Sequence, residues 1–239
     1  MKNQYVGDIG DYSKLGMLIA LSQAGFSIGI NWYLTPNEPK HSKTVTDGKY
    51  IQYLDLPCDT NNPKLFSALC QIVKNEKRAV KNIENKNLFP NSVTYWNKIL
   101  ESKSRDVWHS KALKKLSNNS IIFCDPDNGL EVKSTKPYSK NGNKYTTYKE
   151  IVDYYKNGSS VIVYNHRDRK PEEDYIKRFT KFREIEETAQ AKLFYLRASR
   201  YSVRDYLFII HERHFSDLER AINSFLATEW CRYLAKHVL

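Results

Sequence analysis

Several things are scarce in this sequence, and each scarcity removes a class of protein. The four cysteines, Cys58, Cys70, Cys124 and Cys231, form no Cys-x-x-Cys pair, and no two histidines stand at zinc-finger spacing. Neither a disulfide framework nor a structural zinc site is expected, and scattered thiols fit a reducing, cytoplasmic setting. The opening MKNQYVGDIGDYSKLG has no basic segment followed by an apolar one, so it does not read as a signal peptide. Residues 15–37 carry no charge, but Ser22, Gln23, Gly25, Gly29 and Asn31 interrupt the run and Thr35-Pro36 end it. A helix followed by a buried strand is expected there, not a membrane span. There is no internal repeat, no low-complexity linker, and no Gly-x-Gly after the first expected strand.

What is present suits one globular domain spanning residues 1–239. Apolar residues make up 41%, and 38 Lys+Arg against 27 Asp+Glu give a net charge of +11. A chain of this length buries roughly 70–75% of its unfolded surface on folding and needs no staples. Short β-rich runs alternate with helical segments. Helices are expected at Ser13–Ala24, Asn62–Asn75, Ser104–Leu116, Tyr148–Asn157, Pro171–Thr188 and Ser216–Thr228. Strands are expected at Phe26–Leu34, Val93–Trp96, Ser120–Cys124 and Ser160–Tyr164, with a short strand or ribbon at Lys49–Leu54. Ala79–Glu84 is ambiguous between helix and strand. The runs SIIFC and SVIVY are apolar throughout, as in parallel strands buried on both faces. Ala191–Ala198 and Val203–His211 read as an antiparallel hairpin, and a tail follows Trp230. The pattern predicts an α/β, Rossmann-like, mostly parallel sheet with helices on both faces and a C-terminal antiparallel hairpin.

Four motifs carry potential chemistry. Asp125-Pro126-Asp127-Asn128-Gly129-Leu130-Glu131 follows a buried strand directly, where α/β sheets bind ligands. The alternative is a turn whose Asp and Asn satisfy local N–H groups. Gly7-Asp8-Ile9-Gly10-Asp11-Tyr12-Ser13-Lys14 enters the first helix, where backbone N–H groups suit an anion; Asp11 or Ser13 also reads as a simple helix cap. Asn165-His166-Arg167-Asp168 ends the next strand, offering an acid/base and a phosphate clamp, or a solvated charged loop. Asn31-Trp32-Tyr33-Leu34-Thr35-Pro36-Asn37-Glu38 ends the first strand, and Asp47-Gly48 reads as an ordinary turn. Lys133, Lys136, Lys140 and Lys144 share one loop with Tyr138 and Tyr145, a composition suited to nucleic acid or to plain solvation.

These motifs resemble those of a bacterial family that shares a GDIGDYxKxGLL opening, an NWYLxPxE strand end, a DGxxIxYL element and DPDNGLE. The resemblance covers most of the chain, through Trp230, and implies no activity. More distantly, the chain is similar to class I methyltransferases acting on adenine N6 in RNA or DNA. That resemblance implies S-adenosylmethionine beside Asp8, Asp11 and Lys14, with Gly7 and Asn31 as further cofactor-binding candidates. It also aligns Asp125-Pro126-Asp127-Asn128 with a motif that holds the target amino group. Asp125 and Pro126 fit, Asp127 and Asn128 depart, and NWYLTPNE stands where a glycine-rich cofactor loop is usual.

Three functions compete on these residues. A nucleic-acid methyltransferase would use Asp125, Asp127, Asn128 and His166 catalytically, with Arg167 and the loop lysines on nucleic acid. A Mg²⁺- or Mn²⁺-dependent nuclease would hold its metal on Asp125, Asp127 and Glu131, with Asp8 or Asp11, and use Lys14, Lys133 or His166 at the phosphate. A non-catalytic binding subunit of a phage-defence or mobile-element system would need neither cofactor.

Overall fold

The structure is a computed structural model describing residues 1–36, 48–55 and 61–239. Asn37, Glu38, Asp47 and Cys58 lie outside the described residues. The first helix, α1 (Ile9–Gln23), begins four residues before the expected Ser13 because Asp8 caps it. Asp8 Oδ1 accepts from the N–H groups of Gly10 and Asp11 at 2.7 and 3.2 Å, so neither Asp11 nor Ser13 is the cap. The chain then turns at Gly25 into β1 (Ile28–Asn31), shorter than expected because Trp32 onward leaves the ladder.

Seven strands form one sheet: β1, β2 (Val93–Trp96), β3 (Ile121–Cys124), β6 (Ser160–His166), β7 (Lys192–Ala198), β8 (Arg204–Ile210) and β9 (Leu234–Val238). Their order is β2-β1-β3-β6-β8-β7-β9. The first four run parallel; β8 is antiparallel to β6, β7 to β8 and β9 to β7. The expected C-terminal hairpin is therefore present, with its second strand inserted against β6. The fold is α/β and Rossmann-like. A two-residue parallel ribbon pairs β4 (Gly129–Leu130), within the Asp125–Glu131 motif, with β5 (Tyr145–Thr146), at the end of the lysine loop.

Side chains alternate across the sheet. Ile28, Ile30, Ile121, Phe123, Ile162, Tyr206 and Phe208 pack under α1, α2 (Pro63–Asn75) and α7 (Glu212–Leu226). Ile122, Cys124, Val161, Val163, Leu207 and Ile209 pack under α4 (Arg105–Leu116), α5 (Tyr148–Lys156) and α6 (Glu172–Thr180). Three readings need correction. Lys49–Leu54 joins no sheet; it leads into a 3-10 turn, Gln52–Asp55. The helix after Pro171 stops at Thr180, and two 3-10 turns replace its second half. The tail after Trp230 becomes β9, which covers the free edge of β7. The ambiguous stretch near residue 80 is helical, α3 (Val80–Glu84).

Chain order sets where a ligand can bind. From β1 the chain passes outward to β2 and returns past β1 to β3. The direction reverses between the carboxyl ends of β1 and β3, the place where open α/β sheets bind ligands. Helix α1 runs back toward β1's start, so its N-terminal turn lies at this same carboxyl edge. No helix among the described residues is long and apolar enough to cross a membrane.

Candidate functional site

A cavity of about 460 Å³ opens at the carboxyl edge, on the α1 side of the sheet. It takes Asp8, Gly10, Asp11 and Lys14 from α1 and its cap, Asp125–Asn128 from the turn after β3, and Tyr164 and His166 from β6. Three motifs distant in sequence thus share one wall. Met1, Tyr5, Gly48, Lys49, Tyr50, Ser202 and Arg204 complete it.

Each element aims its residues for a local reason. The Asp125–Asn128 turn is pinned from both sides: Asn128 N–H donates to Lys144 O at 2.8 Å, and Asn128 O accepts from His166 N–H at 3.2 Å. Gly129, at φ +107, lies so close to Asn165 that a Cβ would stand 2.4 Å from its Oδ1. Only glycine lets the turn approach β6 this tightly. On α1, Lys14 Nζ reaches both Asp11 Oδ1 and Asp125 Oδ2 at 2.6 Å and lies 5.5 Å from the Trp32 ring. The Met1 α-ammonium pairs with Asp127 Oδ1 at 2.7 Å and donates to the carbonyls of Tyr33 and Asp125.

The charges do not balance on this side of the cavity. Asp8, Asp11, Asp125 and Asp127 supply four carboxylates against two ammonium groups, those of Lys14 and Met1. Burial raises the Asp125 carboxyl above the ordinary carboxylate value, over the lowering pull of Lys14. Burial and then the Asp11 charge raise Asp8 in the same direction. Burial opposes charge on Lys14, but Asp11 and Asp125 outweigh it and hold the ammonium above its usual pKa. His166 is pushed down by partial burial and by Arg204, which favours neutral imidazole near pH 7.

Other candidates fall outside the cavity lining. Asn31 is fully buried on the opposite face, where it accepts from Tyr33 N–H and donates to Tyr154 OH. Gly7 sits behind the wall, its N–H donating to Asp11 Oδ2 at 2.8 Å. Glu131 turns away to accept from Tyr148 N–H at 2.8 Å. With Asp125 held by Lys14 and Asp127 by the α-ammonium, Asp125, Asp127 and Glu131 do not assemble. No cluster of three or more His, Cys, Asp or Glu among the described residues can hold a metal ion.

Lys133, Lys136, Lys140 and Lys144 lie on a separate loop, tied down from beneath by Arg105. That guanidinium donates to the carbonyls of Pro137, Gly142 and Tyr145 while gripping Glu150 at 2.7 and 2.8 Å. Arg167 is spent locally, pairing with Asp168 and Glu172 over the Tyr175 ring. The arginine that does line the cavity is Arg204, which belongs to none of the four motifs. Its signal was the stretch Ser199-Arg200-Tyr201-Ser202-Val203-Arg204, two arginines and a tyrosine running from the β7–β8 turn into β8.

Comparison with known proteins adds nothing to this geometry: no family model matches the chain, and no curated protein or solved structure matches it either.

Proposed function

We propose that the protein is a methyltransferase that takes S-adenosylmethionine into this cavity and directs its methyl group to an amino group of a nucleic-acid base. The observation that carries the reading is the convergence of Asp8, Asp11 and Lys14 with Asp125–Asn128 on one cavity beside the β1–β3 switch point. Its volume falls within the roughly 300–1,000 Å³ usual for small-molecule sites. The cavity lining carries both signs of charge, Asp8 beside Arg204 and Lys49, and suits a ligand with both, as S-adenosylmethionine has in its sulfonium, ammonium and carboxylate. The residues fit that group, with Asp8 on its cationic part and Asp11 behind it, held by Lys14 and Gly7 N–H. When bound, it supplies an electrophilic methyl group.

The chain's own residues would do the rest. Asp125, with Oδ2 held by Lys14, accepts a hydrogen bond from the target amino group and orients its lone pair. Lys14 acts as a positioning residue for Asp125. Pro126 fixes the turn that presents it. His166, neutral near pH 7, takes the proton the amine releases.

A non-catalytic binding role is the second reading, and one observation favours it. The carbonyls at the β1–β3 crevice, Tyr33 O and Asp125 O, are already engaged by the Met1 ammonium. Calorimetry with S-adenosylmethionine separates the two. Methyl transfer requires saturable binding that weakens about tenfold in Asp8→Asn, the loss expected for one charged hydrogen bond. It also requires label transfer from methyl-tritiated donor to RNA or DNA, abolished in Asp125→Ala. No heat and no transfer would leave the binding role.

A further inference from the structure

The β8 side of the cavity plays no part in the catalytic steps above, and its charge is of the opposite sign. Arg204 is 5% exposed, forms no ion pair among the described residues, and donates through Nη2 only to Ser202 Oγ. Its buried Nε has no acceptor. Asp8 and Asp11 lie near enough to favour its charge but close no ion pair with it, so a buried guanidinium keeps donors to spare, and the fold makes room for it. A Cβ on Gly10 would stand 2.1 Å from Arg204 Nη1, so the second glycine of GDIGDY clears the space for the guanidinium. His166 faces Arg204 across the β6–β8 register. Lys49, exposed, adds a second cation to the lining, with Nζ 5.3 Å from the Tyr50 ring. Beside these cations the rings of Tyr50 and Tyr201 stack, centroids 5.1 Å apart and 28° between planes. Tyr201 is 56% exposed and holds φ +64, a conformation rarely kept by a bulky residue without purpose.

We propose that Arg204, Lys49, Tyr50 and Tyr201 form a nucleotide subsite for single-stranded nucleic acid, in which Arg204 takes a backbone phosphate and the tyrosine pair stacks a base. A guanidinium offers two parallel donors that match phosphate oxygens. A base can stack on a side chain only when its face is free, so the subsite selects unpaired strands. The inference rests on the nucleic-acid half of the function proposed above, not on methyl transfer.

Fluorescence anisotropy tests it with the full chain and a fluorescein-labelled, mixed-sequence single-stranded RNA oligonucleotide, compared with the same strand in a duplex. The single strand binds more tightly than the duplex. Tyr201→Ala, an exposed substitution, weakens single-strand binding at least about fivefold while the melting curve stays put. Arg204→Gln lowers the slope of log affinity against log salt by about one, the signature of one lost phosphate contact. Should Arg204→Gln fold poorly, Tyr201→Ala decides alone. Absence of RNA binding, equal affinity for single strand and duplex, or wild-type binding by Tyr201→Ala would each overturn the proposal. S-adenosylmethionine calorimetry on the same samples keeps the readings apart. RNA binding that depends on Tyr201 without any donor binding sinks methyl transfer and leaves the subsite standing.

Discussion

Replacing Lys14 by methionine is the sharpest stability test of this site. The substitution keeps most of the side-chain volume and removes one positive charge. Lys14 is 4% exposed, and its ammonium is the one cation bridging Asp11 and Asp125, themselves 1% and 3% exposed. Two buried carboxylates then face each other with no cation between them. At an effective dielectric of about 20, two unit charges roughly 4 Å apart interact by about 4 kcal/mol, and breaking a buried pair by deleting one member costs about 3–5 kcal/mol. A domain is stable by only about 5–15 kcal/mol, so the loss is a large share of the total. Urea denaturation at pH 7 should show it as a fall in midpoint with little change in slope. The deficit should shrink as pH falls. A carboxyl whose folded pKa is raised, as Asp125's is, binds more protons folded than unfolded, so acidification through that folded pKa stabilises the fold. Adding Asp125→Asn to the variant should restore at least about 1 kcal/mol, a coupling that a double-mutant cycle isolates. A Lys14→Met protein within about 1 kcal/mol of wild type at pH 7 would refute the trio as the centre of the site.

Three further outcomes follow from other parts of the fold. Gly16→Ala puts a Cβ 2.4 Å from the Trp230 ring, and should destabilise by about 1–3 kcal/mol in thermal melts despite alanine's better helix propensity. Arg105→Gln breaks the bidentate grip on Glu150 and frees three loop carbonyls, costing about 3–5 kcal/mol and opening residues 131–146 to limited proteolysis. Alkali should unfold the protein steeply: burial raises the phenols of Tyr33, Tyr53, Tyr154 and Tyr164, and pushes Tyr206 up to about 12. Above pH 10 the unfolded chain loses protons these phenols keep when folded, so each removes about 1.4 kcal/mol of stability per pH unit up to its folded pKa, checked by fluorescence-monitored unfolding from pH 9 to 12.

Elements with strong local patterns were legible from residues alone. SIIFC and SVIVY became adjacent parallel strands because continuous apolar runs suit burial on both faces, and the late hairpin declared itself by two β-rich runs around a short turn. What escaped notice depended on distant partners. The residues of β9 alternate weakly and become a strand only because β7 offers an open edge. Asp8 looked like a ligand and is also a cap, since one carboxylate can serve two N–H groups and still line a cavity. Three of the four motifs met at the cavity because each ends or begins an element at the carboxyl edge, and edge position is readable once the strands are. Asn31 failed by parity: one residue along a strand reverses the face, and Asn31 points away from α1. Arg167 stood out in the sequence and Arg204 did not, for a similar reason. The first meets Asp168 and Glu172 within its own segment, while the second reaches the cavity only through the antiparallel return of β8.

The absence of glycines after β1 takes on a definite meaning in this geometry. In sheets of this kind, glycine at that exit lets backbone approach the ligand. Here the exit is built as a wall. Trp32 is buried on the α1 side, stacked on Tyr95 and donating to Glu84 at 2.9 Å. Tyr33, at φ +44, drives into the other face, where its hydroxyl meets Thr146 and Glu150. Two large rings anchored on opposite faces leave no room for backbone to close over a ligand from that side. The close approach occurs instead at Gly10, where the missing Cβ admits the Arg204 guanidinium beside the Asp8 cap. A ligand would therefore meet the N-terminal turn of α1 before it met the end of β1. On the function proposed above, its affinity would depend on Asp8, Gly10 and Arg204, and substitutions in Trp32 or Tyr33 should act through folding.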